Sequence, residues 1–180
     1  MSEKIDWDNL TFSLTPTDTM YLTETSSTDP WMPGNLRPYG PIQMSPAACV
    51  LNYGQGLFEG MKAFRTSKNR VVFFRPEENA RRMQRGADRL KMPPVPESIF
   101  IDAVEQCVQA NLQWVPPTGK GAMYVRPLLM GSGPILGVAP APSYTFLVYV
   151  TPVGPYFKGG VSAIDLLISE EYHRAAPGGS

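Results

Sequence analysis

The sequence predicts an α+β domain in which two helices pack on a largely antiparallel sheet. Short apolar runs come first, followed by a hairpin pattern, two consecutive amphipathic stripes and two further apolar runs. That order favours helices on one face of an antiparallel sheet over an alternating βαβ chain. Neither GxGxxG nor GxxxxGKS/T occurs, so the two commonest dinucleotide and nucleotide fingerprints are absent. Proline is frequent, with 19 among 180 residues against an average usage of about 5%, and it cuts the chain into short elements.

Residues 1–38 read as a polar N-terminal segment punctuated by Pro16, Pro30, Pro33 and Pro38, with one apolar cluster, Met20-Tyr21-Leu22, as an edge strand. The small α+β domain is expected over 39–152. Its first element is a short strand in IQMSPAACVL, up to Leu51, entered from a Pro-Tyr-Gly-Pro turn. NYGQGLFEG, residues 52–60, packs three glycines into seven positions, which implies tight backbone geometry or close approach by another group. Met61–Arg65 and Arg70–Phe74, separated by Thr-Ser-Lys-Asn, form a hairpin. Pro76 opens a helix whose first turn carries Glu77 and Glu78 at its positive end. Ala80, Met83, Ala87 and Leu90 are that helix's buried stripe, and Pro93, Pro94 and Pro96 stop it. A second helix runs from about Glu97 to Trp114 with Ile101, Val104, Val108, Leu112 and Val115 on one face, and Pro116-Pro117 ends it. Gly121–Met130 and Tyr144–Thr151 are buried strands.

Composition narrows the function. Sixteen basic and sixteen acidic residues cancel, so no global field draws a polyanion or an anionic membrane, and neither nucleic acid nor membrane is expected as a partner. Cys49 and Cys107 stand far apart in apolar surroundings without a CxxC motif, which predicts buried free thiols rather than a disulfide or zinc site. His173 is the only histidine, so His-rich metal sites are excluded and a Ser-His-Asp mechanism is disfavoured. The N-terminus has no apolar leader and is too acidic for a transit peptide. This predicts a cytoplasmic protein if Met1 is the true start, and a chloroplast or mitochondrial one if a targeting segment lies upstream.

Two groups of residues carry candidate chemistry. Arg81, Arg82, Arg85 and Arg89 cluster on the first helix and Arg75 precedes it; they form either a solvated basic face or a site in which one planar fork grips a phosphate. Tyr124 and Arg126 lie two apart in an apolar strand, so they share a face. Either that guanidinium meets an anion, a small carboxylate suiting the pair best, or the strand lies at an edge and the arginine reaches solvent. Leu136-Gly137-Val138 supplies an apolar wall or an ordinary turn.

In order and spacing, NYGQGLFEGMKAF, FRPEENARRMQRGADRL, MYVRPLLMGSGPILGV, TPVGPYFKGG and HRAAPGG closely resemble the branched-chain amino-acid aminotransferases, fold-type-IV pyridoxal-phosphate enzymes, most of all their eukaryotic and plant-like branch. The resemblance runs from about Asp6 to Gly179 and implies the small N-terminal domain of that fold, with residues 153–180 as the interdomain connection and the start of a truncated C-terminal domain. It implies pyridoxal 5'-phosphate as cofactor, with Arg82 holding its phosphate. Phe58 and Tyr156 would line the substrate pocket, and Tyr124 and Arg126 would orient the substrate carboxylate. Tyr53, Leu136 and Val138 would reach into the neighbouring subunit's pocket in a homodimer. The implied reaction is amino transfer between leucine, isoleucine or valine and 2-oxoglutarate, forming glutamate. D-amino-acid transaminases and aminodeoxychorismate lyases share the phosphate arginine but lack the Tyr-x-Arg-Pro strand followed by Leu-Gly-Val.

A transaminase of this type needs a lysine to bind the cofactor and move the proton. In the family it follows the His-Arg-Ala-x-Pro-Gly-Gly region, just beyond Ser180, and no lysine in these 180 residues matches it. The resemblance therefore predicts a truncated portion that is inactive alone, or a non-catalytic fragment that pairs with full-length subunits.

Overall fold

The structure, a computed structural model, describes residues 5–155 and 163–172. Among these residues the strands are β1 (Thr19–Ser26), β2 (Asn35–Pro38), β3 (Gly56–Phe58), β4 (Met61–Arg65), β5 (Val71–Phe73), β6 (Ala122–Gly131) and β7 (Ser143–Val153). The helices are α1 (Cys49–Tyr53), α2 (Pro76–Arg89) and α3 (Glu97–Ala110), followed by a 3-10 turn at Leu112–Trp114. The seven strands make one sheet in the order β2-β1-β7-β6-β4-β5, with β3 also on β6. Every pairing is antiparallel. The α+β class, the hairpin, the first long helix and the two long strands are as the sequence predicts; the second helix starts at Glu97 as expected but ends at Ala110, short of Trp114, with the 3-10 turn following it.

Two expectations are corrected. The Met20–Leu22 cluster lies in β1, but β1 runs between β2 and β7 and is not an edge. The edge is β2, whose four side chains are all exposed, so it shows no apolar signal. The IQMSPAACVL run forms no strand. Pro46 has no N–H to give a ladder, and the Ser45 carbonyl instead accepts the Ala48 N–H at 2.9 Å. The chain then enters α1, where Asn52 Nδ2 donates to the carbonyls of Ala48 (3.0 Å) and Pro46 (2.9 Å), and Gly54, in the left-handed region at φ 68°, closes the helix.

The core lies between the sheet and the two long helices. Met83 and Ala87 of α2, Phe100 and Val104 of α3, and Met123, Val125 and Leu129 of β6 are buried together. Phe146 of β7 is at its centre, stacked on Phe100 (centroids 5.9 Å apart) and edge-on to Trp31 (6.4 Å). Strand alternation sends Tyr124, Arg126, Leu128 and Met130 to the opposite face, away from α2 and α3. A smaller cluster there, Leu22, Met130 and Leu147, covers only part of that face.

Both cysteines are free and buried. Cys107 Sγ points at the Val148 carbonyl (3.3 Å), and burial pushes its thiol pKa up to about 12.

Two expectations about stability follow from this packing. Phe146→Ala should lower the unfolding free energy by about 3–5 kcal/mol in urea titrations, whereas truncating Val138, 93% exposed, should change it by less than about 0.5 kcal/mol. An unfolded thiol titrates near pH ~8.5, well below the folded value, so the folded state holds the proton that the unfolded chain releases. The stability this contributes is complete below pH ~8.5 and is lost as pH rises toward about 12. Urea unfolding at several alkaline pH values should show a decline that Cys107→Ala reduces by up to about 1.4 kcal/mol per pH unit.

Candidate functional site

The site begins at an interruption in the sheet. Phe58 faces Leu128 and Met61 faces Val125 in one continuous register, so Glu59 and Gly60 fall opposite Pro127 and Arg126. Glu59 donates its N–H to the Pro127 carbonyl at 2.9 Å. Directly opposed residues of such a pair normally exchange two bonds, but Pro127 has no N–H to return. The ladder lapses there, and what would be one strand becomes β3 and β4. On its other side β6 pairs with β7 without a break from Ala122 to Gly131.

Each residue at the break positions a different part of the site. Phe58 projects on the face away from α2 and α3, where its ring centroid is 4.2 Å from the Arg126 guanidinium carbon; the Tyr124 ring is 5.2 Å from the same atom. Arg126 Nη2 donates to the Tyr124 hydroxyl at 3.1 Å. Its Nε is buried and has no hydrogen-bond partner. Arg126 is on an internal strand, so the edge-strand alternative does not apply. A buried charged donor without an acceptor is costly, and an anion is the group that would satisfy it. Phe12 lays its edge against Tyr124, centroids 5.4 Å apart. The N-terminal segment is pinned there by Gly154 N–H to the Thr11 carbonyl (3.1 Å) and by Thr15 N–H to Thr151 Oγ1 (2.8 Å). Gly60 leaves room for the phenol: a Cβ there would lie 2.2 Å from the Tyr124 hydroxyl oxygen.

Glu59 points to the helix side. Its carboxylate, almost fully buried, accepts from Arg82 Nε at 2.6 Å and from Arg82 Nη2 at 2.5 Å. Asn79 Nδ2 donates to the same carboxylate at 2.9 Å. The hydrogen bonds to Glu59, and then its charge, hold the Arg82 guanidinium above its ordinary pKa. Arg82 itself is 61% exposed, and its remaining N–H groups face solvent. That donor set fits a phosphate. Neighbouring basic residues are tied elsewhere: Arg75 to Glu78, and Arg81 to Glu78 and Glu97, in exposed pairs.

Tyr53 of α1 donates its hydroxyl to the Leu136 carbonyl, which joins α1 to the loop after β6. Leu136 and Val138 are exposed on that loop. Val138 lines a cleft of about 390 Å³ together with Cys49, Tyr53 and Arg89 among others. Tyr156 and His173 lie outside the described residues. Among the described residues no cluster of metal-ligating side chains occurs, and no helix is long and apolar enough to cross a membrane.

Sequence reasoning missed Glu59, Asn79, Gly60 and Phe12 as site residues. The available signal was an acid within the apolar run Leu57–Met61 beside an arginine-rich helix, because a buried carboxylate demands a cationic partner.

The fold places the chain in a class. No protein-family model matches it. Among solved structures, the Escherichia coli branched-chain amino acid aminotransferase aligns with a TM-score of 0.62 at 20% identity, over 78% of this chain and 41% of that one. The branched-chain aminotransferase of Thermoproteus uzoniensis, solved with norvaline, gives 0.59 at 24% identity over 78% and 43%. A further branched-chain amino acid aminotransferase, solved with pyridoxamine 5'-phosphate, gives 0.63 at 23% identity over 81% and 43%. The fold is thus that of the small domain of fold-type-IV aminotransferases. At higher identity, 55% over 176 residues, stands branched-chain-amino-acid aminotransferase 2, chloroplastic, of Arabidopsis thaliana, covered over 98% of this chain and 45% of the relative. Branched-chain amino acid aminotransferase 1, mitochondrial, of Humulus lupulus is 52% identical over the same shares. The chain is thus similar over nearly its whole length to branched-chain aminotransferases, and it spans less than half the length of the curated relatives it matches.

Gly60→Ala should destabilise the chain by about 1–3 kcal/mol through the clash with the Tyr124 hydroxyl. In a double-mutant cycle read by thermal unfolding, Tyr124→Phe should recover most of that loss, since it removes the atom the new methyl meets.

Proposed function

We propose that these residues form the carboxylate- and phosphate-binding portion of a branched-chain aminotransferase, which exchanges amino groups between leucine, isoleucine or valine and 2-oxoglutarate. The observation that carries this reading is the buried, partnerless Nε of Arg126 beside the Tyr124 hydroxyl. A substrate carboxylate is planar and anionic, and it supplies the acceptor that Nε lacks. All the amino-acid and keto-acid substrates share that group, and Phe58, stacked over the guanidinium, supplies an apolar wall for their side chains. Tyr156 is assigned to the same pocket from the family resemblance.

Arg82 is assigned to the phosphate of pyridoxal 5'-phosphate, because its free N–H edge faces solvent beside a fixed inner edge. When bound, that cofactor supplies the electron sink for amino transfer. This chain's own residues bind and orient: Arg126 and Tyr124 fix the carboxylate, Phe58 and Phe12 keep water from the guanidinium and the phenol, and Arg82 anchors the phosphate. The lysine that carries the proton is assigned to a region outside these 180 residues. The relatives' chloroplast and mitochondrial locations favour an organelle for the whole protein.

Pairing of two subunits through the α1–Leu136 region also belongs to this reading, supported by the exposed apolar side chains of Leu51, Tyr53, Leu136 and Val138.

The purified 180-residue chain, mixed with pyridoxal 5'-phosphate, leucine and 2-oxoglutarate, should show no turnover. Turnover by it would overturn this division of roles. In the chain extended to the length of its relatives, Arg126→Gln should lower kcat/KM on the order of 100-fold. Analytical ultracentrifugation should show a dimer that Leu136→Asp with Val138→Asp converts to monomer.

A further inference from the structure

Glu59 is not needed for any step above, yet it is the most buried acid near the site, and its burial calls for a reason. An ion pair between two exposed side chains contributes little. Here one partner is 61% exposed and the other only 4%, so the carboxylate has been taken out of water while most of the guanidinium remains in it. A buried ion pair is often no more stabilising than the apolar side chains that would fill the same space, and the run Leu57-Phe58-x-x-Met61 would otherwise supply such a residue. What the pair provides instead is direction.

Both carboxylate oxygens are committed. Oε1 takes the Arg82 Nε–H; Oε2 takes an Nη2–H and the Asn79 amide. The main chain of Glu59 is fixed in turn by its N–H bond to the Pro127 carbonyl. Two parallel bonds to a fixed carboxylate hold the plane of the guanidinium and leave Nη1 and the outer Nη2–H facing solvent. A long, exposed arginine without that anchor would sample many rotamers, and an anion would have to order it on binding.

We propose that Glu59 is the positioning residue for Arg82: it holds the guanidinium by its inner edge so that the outer edge is preset for a phosphate dianion, with Asn79 fixing Glu59. The proposal rests on the assignment of Arg82 to a phosphate. It gives the Phe58-Glu59-Gly60 break a second task, because the same three residues then set both anion-binding arginines.

The test uses the ¹⁵N-labelled chain and inorganic phosphate as probe, with the backbone amide spectrum as the check on folding. In the wild type the Arg82 Nε–H signal should be protected from solvent exchange, and phosphate should shift the Arg82 side-chain signals. Glu59→Gln should abolish the protection and raise the phosphate Kd about 5–10-fold. Asn79→Ala keeps both charges, so it separates orientation from electrostatics, and it should raise Kd about 2–3-fold. Phosphate binding that is unchanged or tighter in both variants overturns the proposal, as does Nε–H protection that survives Glu59→Gln. If phosphate leaves the wild-type Arg82 signals unshifted, or Arg82→Ala leaves phosphate binding intact, the phosphate assignment fails instead, while the exchange measurement still decides whether Glu59 holds the guanidinium.

Discussion

Pro127 cannot donate a hydrogen bond, and the arrangement of the site depends on that single missing proton. Proline inside a sheet is ordinarily confined to edges and bulges. In this chain it sits within a ten-residue strand flanked on both sides, and it is tolerated because its N–H would have pointed into the gap between β3 and β4. The β7 side of the same strand keeps its full ladder. The gap frees Glu59 and Gly60 from strand pairing without shifting the register on either side, so the residues that follow return to their proper faces. A bulge would have added a residue and changed the pairing count; the proline interrupts the ladder and leaves the alternation intact.

That preserved alternation separates Arg126 from the carboxylate that holds Arg82, the two arginines proposed to bind anions, and sets them on different faces. Residues 57, 59, 61 and 63 look toward the helices, and 58, 60, 62 and 64 look away. Glu59 therefore meets Arg82 on α2, while Phe58 and Gly60 meet Arg126 and Tyr124. The helix face is closed by a packed core, so a charge admitted there has to be paired within the chain, and Glu59 is paired. The other face is only partly covered by Leu22, Met130 and Leu147, which leaves room for a cation whose partner comes from outside.

How much of this was legible in the sequence follows from where the information lies. α2 and α3 declare themselves by a sustained helical stripe between prolines, and the β4–β5 hairpin by its polar turn, so local pattern suffices for them. The run up to Leu51 is short and apolar, and periodicity alone does not separate a strand from a helix at that length; the turn made by Ser45 and Pro46 decided it. β2 has no buried side chain and exists only because β1 offers it an edge. Phe58, Arg82, Tyr124 and Arg126 were found through motif resemblance, and the geometry gives each a definite set of contacts. Glu59 was missed because its partner is 23 residues away on a helix, and the acid stands out only when the apolar run around it is read together with that arginine-rich helix.

The two arginines also differ in how their charge is prepared, and the difference matches the anions assigned to them. Arg82 is largely neutralised by Glu59, so net attraction at its outer edge is reduced, and what remains is the geometry of the exposed N–H groups. Such a site suits a group that stays in place, since its binding depends on fit and on further contacts elsewhere in the protein. Arg126 keeps its full charge, stacked between Phe58 and Tyr124 with one donor unmet. Aromatic faces stabilise a guanidinium without consuming its N–H groups. Its remaining donors therefore stay open to an incoming carboxylate, and the free state, with a buried donor unsatisfied, is the less stable one. A clamp of this kind gains from each arriving substrate the hydrogen bond that the empty protein lacks, which is what recognition of a transient ligand by its one constant feature requires.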